Sequence, residues 1–117
     1  MFTNLKVTKI ERISYAIYRI NSRTTVNTTE PIDKEVVNKY YPLYYNIRHV
    51  NCFCRIGERS LEVRGGNITA IIKRDEDNYL IRIYKRYYNG IGQLKTISST
   101  FNTTLEGAVL KIEEIFS

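Results

Sequence analysis

The chain has no tryptophan, one histidine, two cysteines and two prolines in 117 residues, and each shortage removes a class of explanation. A single imidazole, His49, cannot share a metal site with a second histidine or pair with one for proton relay. Two thiols, Cys52 and Cys54, cannot build the multi-bridge framework of a small secreted domain. One residue apart on a strand they share a face, an awkward spacing for a direct disulfide, so free thiols are expected. No stretch approaches the roughly 20 apolar residues that span a bilayer, and Met1 to Lys9 lacks the apolar core of a secretory signal. The expected setting is therefore the cytoplasm, with no membrane partner. Asn-X-Thr triplets at Asn27, Asn67 and Asn102 then read as chance matches in a Thr-rich and Asn-rich chain.

What is abundant is tyrosine, with ten residues, in a chain that is 43% hydrophobic and 26% charged. That balance belongs to a folded domain, far from the composition of disorder. A chain of this length fits one domain, residues 1–117, able to bury roughly two thirds of its unfolded surface without metal or disulfide. Tyrosine favours sheets and binding surfaces, where its ring buries and its hydroxyl stays wet, and this points to an all-β or α+β class. The net charge of +6 and the isoelectric point near 9.4 favour an acidic partner. The cations concentrate in two segments. Lys6, Lys9, Arg12, Arg19 and Arg23 stand against Glu11 alone; Lys73, Arg74, Arg82, Lys85, Arg86 and Lys95 stand against acids confined to Asp75-Glu76-Asp77. Side by side, the two segments would form one positive face.

The second half is the more readable. Gly65-Gly66-Asn67, Asp75 to Asn78 and Asn89-Gly90-Ile91-Gly92 are turn signals, and they separate strands at about 59–64, 68–74, 79–88 and 93–101. Short connections make these an antiparallel meander. Leu105, Ala108, Val109, Ile112, Ile115 and Phe116 then recur at helical spacing. They draw an amphipathic C-terminal helix from about Thr103, with Thr103 and Glu106 as a capping box, to cover the apolar sheet face. Gly107 in its first turn marks a close approach. In the first half, Leu5 to Ile20 reads as two strands or one bent strand, and Asn21 to Glu30 as a polar loop. A short helix near 32–41 begins at Pro31 and is stopped by Pro42, and Leu43 to Arg55 forms a further strand. The fold is α+β, with about six or seven strands.

The segment Tyr79 to Tyr88 carries the functional signal. On a strand it presents Arg82, Tyr84, Arg86 and Tyr88 in one row, with Lys73, Arg74 and Lys95 as neighbours. Cations neutralise phosphates and phenol rings stack on bases, both without sequence preference. The competing reading is an ordinary wet sheet face. Tyr40, Tyr41, Tyr44 and Tyr45 form a second aromatic concentration, readable as a partner-binding patch or as core, with Arg48 and Arg55 nearby. His49, Cys52 and Cys54 have no fourth ligand of their type and no zinc-site spacing. Asp75 to Asp77 read as a solvated turn, and the glycines lack the Lys-Ser/Thr and following helix of a phosphate loop. No cofactor, metal or catalytic residue is therefore expected, with a small metal-dependent nuclease using Asp75 to Asp77 or His49 as the remote alternative.

The ending, Tyr-Leu-Ile-Arg-Ile-Tyr-Lys-Arg-Tyr-Tyr followed by Phe-Asn-Thr-Thr-Leu-Glu-Gly-Ala-Val and an amphipathic helix, resembles small proteins of bacteriophages and mobile elements over residues 68–117. Proteins of that kind include single-strand binders and anti-CRISPR inhibitors of host defence. The resemblance implies a non-enzymatic binder, in a host cytoplasm if viral, and transfers no catalytic residues. The order of four strands and a helix is also similar to half of a whirly-type single-strand binding domain, in topology only. The expected partner is nucleic acid or a nucleoprotein complex. A host effector protein occluded by the Tyr40 to Tyr45 patch is the alternative, and a second copy pairing through an edge strand is a further partner to consider.

Overall fold

A computed structural model describes residues 5–30 and 33–116, the side chain of Tyr88 excepted. Among these, eight strands and two helices follow in the order β1 (Ile10–Ser14), β2 (Ile17–Ile20), β3 (Thr24–Asn27), α1 (Lys34–Asn46), β4 (Phe53–Ile56), β5 (Leu61–Gly65), β6 (Ile68–Asp75), β7 (Asn78–Tyr88), β8 (Leu94–Thr103) and α2 (Leu105–Phe116). The strands form two antiparallel sheets, β1-β2-β3 and β4-β5-β6-β7-β8, so the fold is α+β. The meander expected from the turn signals is present, joined at one edge by β4. Gly66, at φ 58°, supplies the left-handed backbone of the β5–β6 turn.

The first half departs from expectation at three places. Thr24–Asn27 is a strand, not a loop, and Val26 is fully buried. The helix does not stop at Pro42 but runs on to Asn46. The segment expected as a strand from Leu43 is therefore the last helical turn, a bend, and only then the short β4. Proline removes one helical N–H, yet the turn around it is held: Asn46 Nδ2 donates to Pro42 O at 2.6 Å, and Pro42 itself is buried. The first helical turn is capped by Asp33, whose carboxylate accepts the Glu35 N–H at 2.9 Å. Pro31, the expected helix start, lies outside the described residues.

Helix α1 fills the space between the two sheets. Val37, Tyr40, Tyr41 and Tyr44 recur at three- and four-residue spacing and are buried. Tyr41 Oη donates to Thr24 Oγ1 at 3.0 Å, and the Asn27 N–H donates to Tyr44 Oη at 3.3 Å, both on the small sheet. Toward the large sheet, Tyr40 Oη accepts the Arg74 N–H at 2.7 Å and donates to Arg59 O at 3.0 Å. Cys54, Ile56, Leu61, Val63, Ala70, Ile72, Tyr79 and Ile81 make the buried inner face of that sheet, closed by Ala108, Val109 and Ile112 of α2. Thr104, one residue later than expected, caps α2, its Oγ1 accepting the Gly107 N–H at 3.2 Å. Gly107 lies against Thr103, whose Oγ1 a Cβ there would meet unless the side chain turned away.

β6 pairs with β7 only as far as Lys85, whereas β7 and β8 pair with each other out to Tyr88 and Leu94. The ribbon therefore overshoots the core, and the molecule measures 51 × 30 × 23 Å. The inner-face alternation continues along the overshoot, but no described residue covers it: Lys85, Tyr87 and Ile97 are exposed.

Candidate nucleic-acid interface

In an antiparallel ladder, residues directly opposite share a face. Arg82 lies opposite Ile71 on β6 and Thr100 on β8; Tyr84 lies between Thr69 and Ser98; Arg86 faces Thr96. Lys73 is opposite Leu80, two residues before Arg82 and so on the same face. The rows continue across β5 and β4, where Glu62 and Arg64 pair with Arg55 and Phe53. The outer face of the large sheet thus carries Arg55, Arg64, Lys73, Arg82 and Arg86 against two carboxylates, Glu62 and Asp75.

Of the two carboxylates, Glu62 is ion-paired and Asp75 keeps its charge. Glu62 holds Arg55 Nη2 at 2.8 Å and Arg64 Nε at 3.0 Å. Asp75 sits at the turn end of the face and accepts from Asn102 Nδ2 at 3.4 Å. Lys73, Arg82 and Arg86 have no ion pair among the described residues, so their charge remains for an external anion. A depression of about 140 Å³ lined by Ile71, Lys73, Leu80, Arg82 and Tyr84 opens on this row. Tyr84 is half-buried on this row, with the small residues Thr69 and Ser98 directly across from it. Along β8, Thr96, Ser98 and Thr100 add a line of hydroxyls, donors that suit phosphate or sugar oxygens.

Arg82, Tyr84, Arg86 and Lys73 are thus brought together, and Tyr88 follows them in register, its side chain outside the described residues. Arg74 is not with them. It alternates to the inner side and is held at the turn, Nε donating to Glu76 O at 2.6 Å and Nη1 to Tyr79 Oη at 3.1 Å, with Asp77 at 3.9 Å. Lys95 is exposed but also on the inner side, opposite Tyr87 on the overshooting ribbon. Of the N-terminal cations, Arg12 and Arg19 are on the small sheet, which abuts β4, the edge farthest from β8, and Lys6 lines a depression with Arg74 and Glu76. Phe53 and Arg64 are members that strand-by-strand reading missed. Arg64 lies 5.4 Å from the Phe53 ring centre, and only the pairing of β4 with β5 places them on this face.

The second aromatic group does not form a surface patch. Tyr40, Tyr41 and Tyr44 are buried, and burial raises the Tyr40 and Tyr44 phenols above their ordinary pKa. Tyr45 is half-buried, with the Arg48 guanidinium stacked 3.7 Å from its ring centre. His49 pairs with Glu113 of α2 at 2.7 Å and does not join the thiols. Cys52 and Cys54 are free, their sulfurs 3.7 Å apart. The Cys54 thiol hydrogen bond pulls Cys52 below the usual thiol value, while the same bond and burial push Cys54 up. Among the described residues no three His, Cys, Asp or Glu side chains converge to hold a metal ion, and no helix is long and apolar enough to cross a membrane.

Compared with protein-family models, with curated proteins and with solved structures, the chain matches none.

Proposed function

We propose that the protein acts by binding nucleic acid, free or within a nucleoprotein complex, on the outer face of its five-stranded sheet. The observation that supports this reading is the row of Lys73, Arg82 and Arg86 around a half-buried Tyr84, cations without ion pairs among the described residues on a face where Glu62 is already paired with Arg55 and Arg64. Phosphates neutralise such cations with release of counterions. Bases stack on Tyr84 and Phe53, which favours single strands, whose bases are free to do so. Phosphate neutralisation and base stacking carry no sequence preference, so binding that tolerates many sequences is expected. The function is a binder's, in keeping with the class of small phage and mobile-element proteins that the ending resembles.

Fluorescence anisotropy against labelled single- and double-stranded DNA and RNA over a salt series tests the proposal. Binding that prefers single strands and weakens steeply with salt is expected. No binding at low salt refutes it.

A further inference from the structure

Of the two edges of the large sheet, one is closed. β4 is four residues long, and its outward carbonyls are taken: Cys54 O accepts from Asn27 Nδ2 at 3.4 Å and Ile56 O from the Thr29 N–H at 3.0 Å. β8, at the other edge, is ten residues long, pairs with β7 without a break in register, and is exposed from Leu94 to Asn102. Proteins blunt such edges with short strands, prolines, bulges or charges. β8 has no proline, no bulge and one charge, Lys95. Residues 96–105 carry no charged side chain, in a chain of which 26% is charged.

The free hydrogen-bonding groups can be assigned. The Asn89 N–H donates to Gln93 O at 3.0 Å on the β8 side of the ribbon, and the Arg86 N–H donates to Asn67 O at 2.9 Å on the β6 side. Strand amides alternate sides, so odd-numbered residues of β7 and β8 bond each other. The N–H and C=O of Leu94, Thr96, Ser98, Thr100 and Asn102 therefore point outward from the sheet.

We propose that β8 is the interface of a homodimer, two copies of the strand pairing antiparallel about a two-fold axis at Ser99 and joining two five-stranded sheets into one. The side chains select the register. With Ser99 opposite the partner's Ser99, Ile97 meets the partner's Phe101 and Phe101 meets the partner's Ile97, an aromatic and β-branched contact made twice on one face. Ile97 and Phe101 are 54% and 36% exposed in the single chain, so the contact covers apolar surface that is otherwise wet. Lys95 then lies opposite the partner's Thr103, and no like charges meet. Moving the axis to Ser98 sets Ile97 against Ser99 and Phe101 against Lys95, and both contacts are lost. A foreign strand must happen to carry the complementary pair, whereas a second copy always does. The axis is perpendicular to the sheet, so both outer faces lie on the same side; the pairing itself does not depend on those faces binding nucleic acid.

Sedimentation equilibrium and cysteine crosslinking of the full chain test this. At about 100 µM, where association of micromolar strength is complete, a mass of twice 13.8 kDa is expected. At a non-hydrogen-bonded pair the two Ser99 Cα atoms sit about 4.5 Å apart, within disulfide reach. Ser99→Cys is expected to give a disulfide-linked dimer under mild oxidation, and Ser98→Cys, diagonal to its counterpart, is not. Thr100→Pro removes an outward N–H without touching the β7 ladder, and Ile97→Lys sets a cation on the seam; both are expected to halve the mass with far-UV circular dichroism unchanged. Should Thr100→Pro fail to fold, Ile97→Lys decides. A wild-type mass of 13.8 kDa at that concentration, or a dimer that survives Ile97→Lys, overturns the proposal.

Discussion

Replacing Arg82 and Arg86 together by alanine removes two cations about 14 Å apart along β7 with Tyr84 between them. Neither is paired with a carboxylate among the described residues, and both are exposed, so the fold should lose no more than about 0.5 kcal/mol. If both contact phosphates of a single strand, the slope of log K against log salt flattens by about 1.4, at about 0.7 per phosphate. Between 50 and 200 mM salt the wild type then loses roughly sevenfold more affinity than the variant. Anisotropy titrations at four or five salt concentrations measure both slopes. Parallel slopes refute the placement of phosphates on this row, even if overall affinity falls. Arg74→Ala supplies the contrast: its guanidinium is held at the turn on the inner side, so the slope should stay as in the wild type while thermal stability drops.

Three further predictions concern the frame behind the face. Gly107→Ala should cost about 1–3 kcal/mol of unfolding free energy through overpacking against Thr103, and Thr103→Ala should recover part of it; additive effects in a denaturant double-mutant cycle would refute the clash. Tyr40→Phe should cost about 1–3 kcal/mol, because the hydroxyl accepts the Arg74 N–H and donates to Arg59 O and its loss strands two backbone groups; a change in chemical-denaturation midpoint within error would count against it. Glu30 accepts the Ala16 N–H at 3.0 Å and the Tyr18 hydroxyl, with Arg12 at 3.6 Å, and the Ala16 bond, ahead of Tyr18 and Arg12, holds its carboxyl below the usual value. A depressed carboxyl contributes stability above its unfolded pKa and loses it as pH falls through the folded value, so the gap in thermal midpoint between wild type and Glu30→Gln should narrow on acidification below about pH 4.3. A gap that is constant from neutral to acid pH would remove Glu30 from the account.

Much of the second half was legible in the chain because its signals are local. Glycine, asparagine and aspartate mark the turns, and alternation between them decides which side chains of one strand travel together, so the row of Arg82, Tyr84 and Arg86 could be read directly. Thr104 at the start of α2 was displaced by one position, the ordinary ambiguity between neighbouring threonines. The first half misled through Pro42. Proline usually ends a helix, but Val37, Tyr40, Tyr41 and Tyr44 already had helical spacing, and burial on both sides of α1 outweighs one missing N–H. With the helix broken at Pro42 the tyrosines could be read as a partner-binding patch or as core, and the continuous helix places Tyr40, Tyr41 and Tyr44 in the core.

The chain by itself determined the α+β class, the meander, the terminal helix and the content of each strand face, since period two and period 3.6 are properties of the backbone and need no neighbours. Only the tertiary structure decided which faces add together. Arg64 and Phe53 join Arg82 through three successive ladders, β4 with β5, β5 with β6 and β6 with β7, Arg74 and Lys95 leave it because one step along a strand reverses a side chain, and β8 is left open because β3 reaches β4 and nothing among the described residues reaches the opposite edge. A strand's own period does not say in which register its neighbour lies beside it, so faces add up and edges stay open only once the strands have paired.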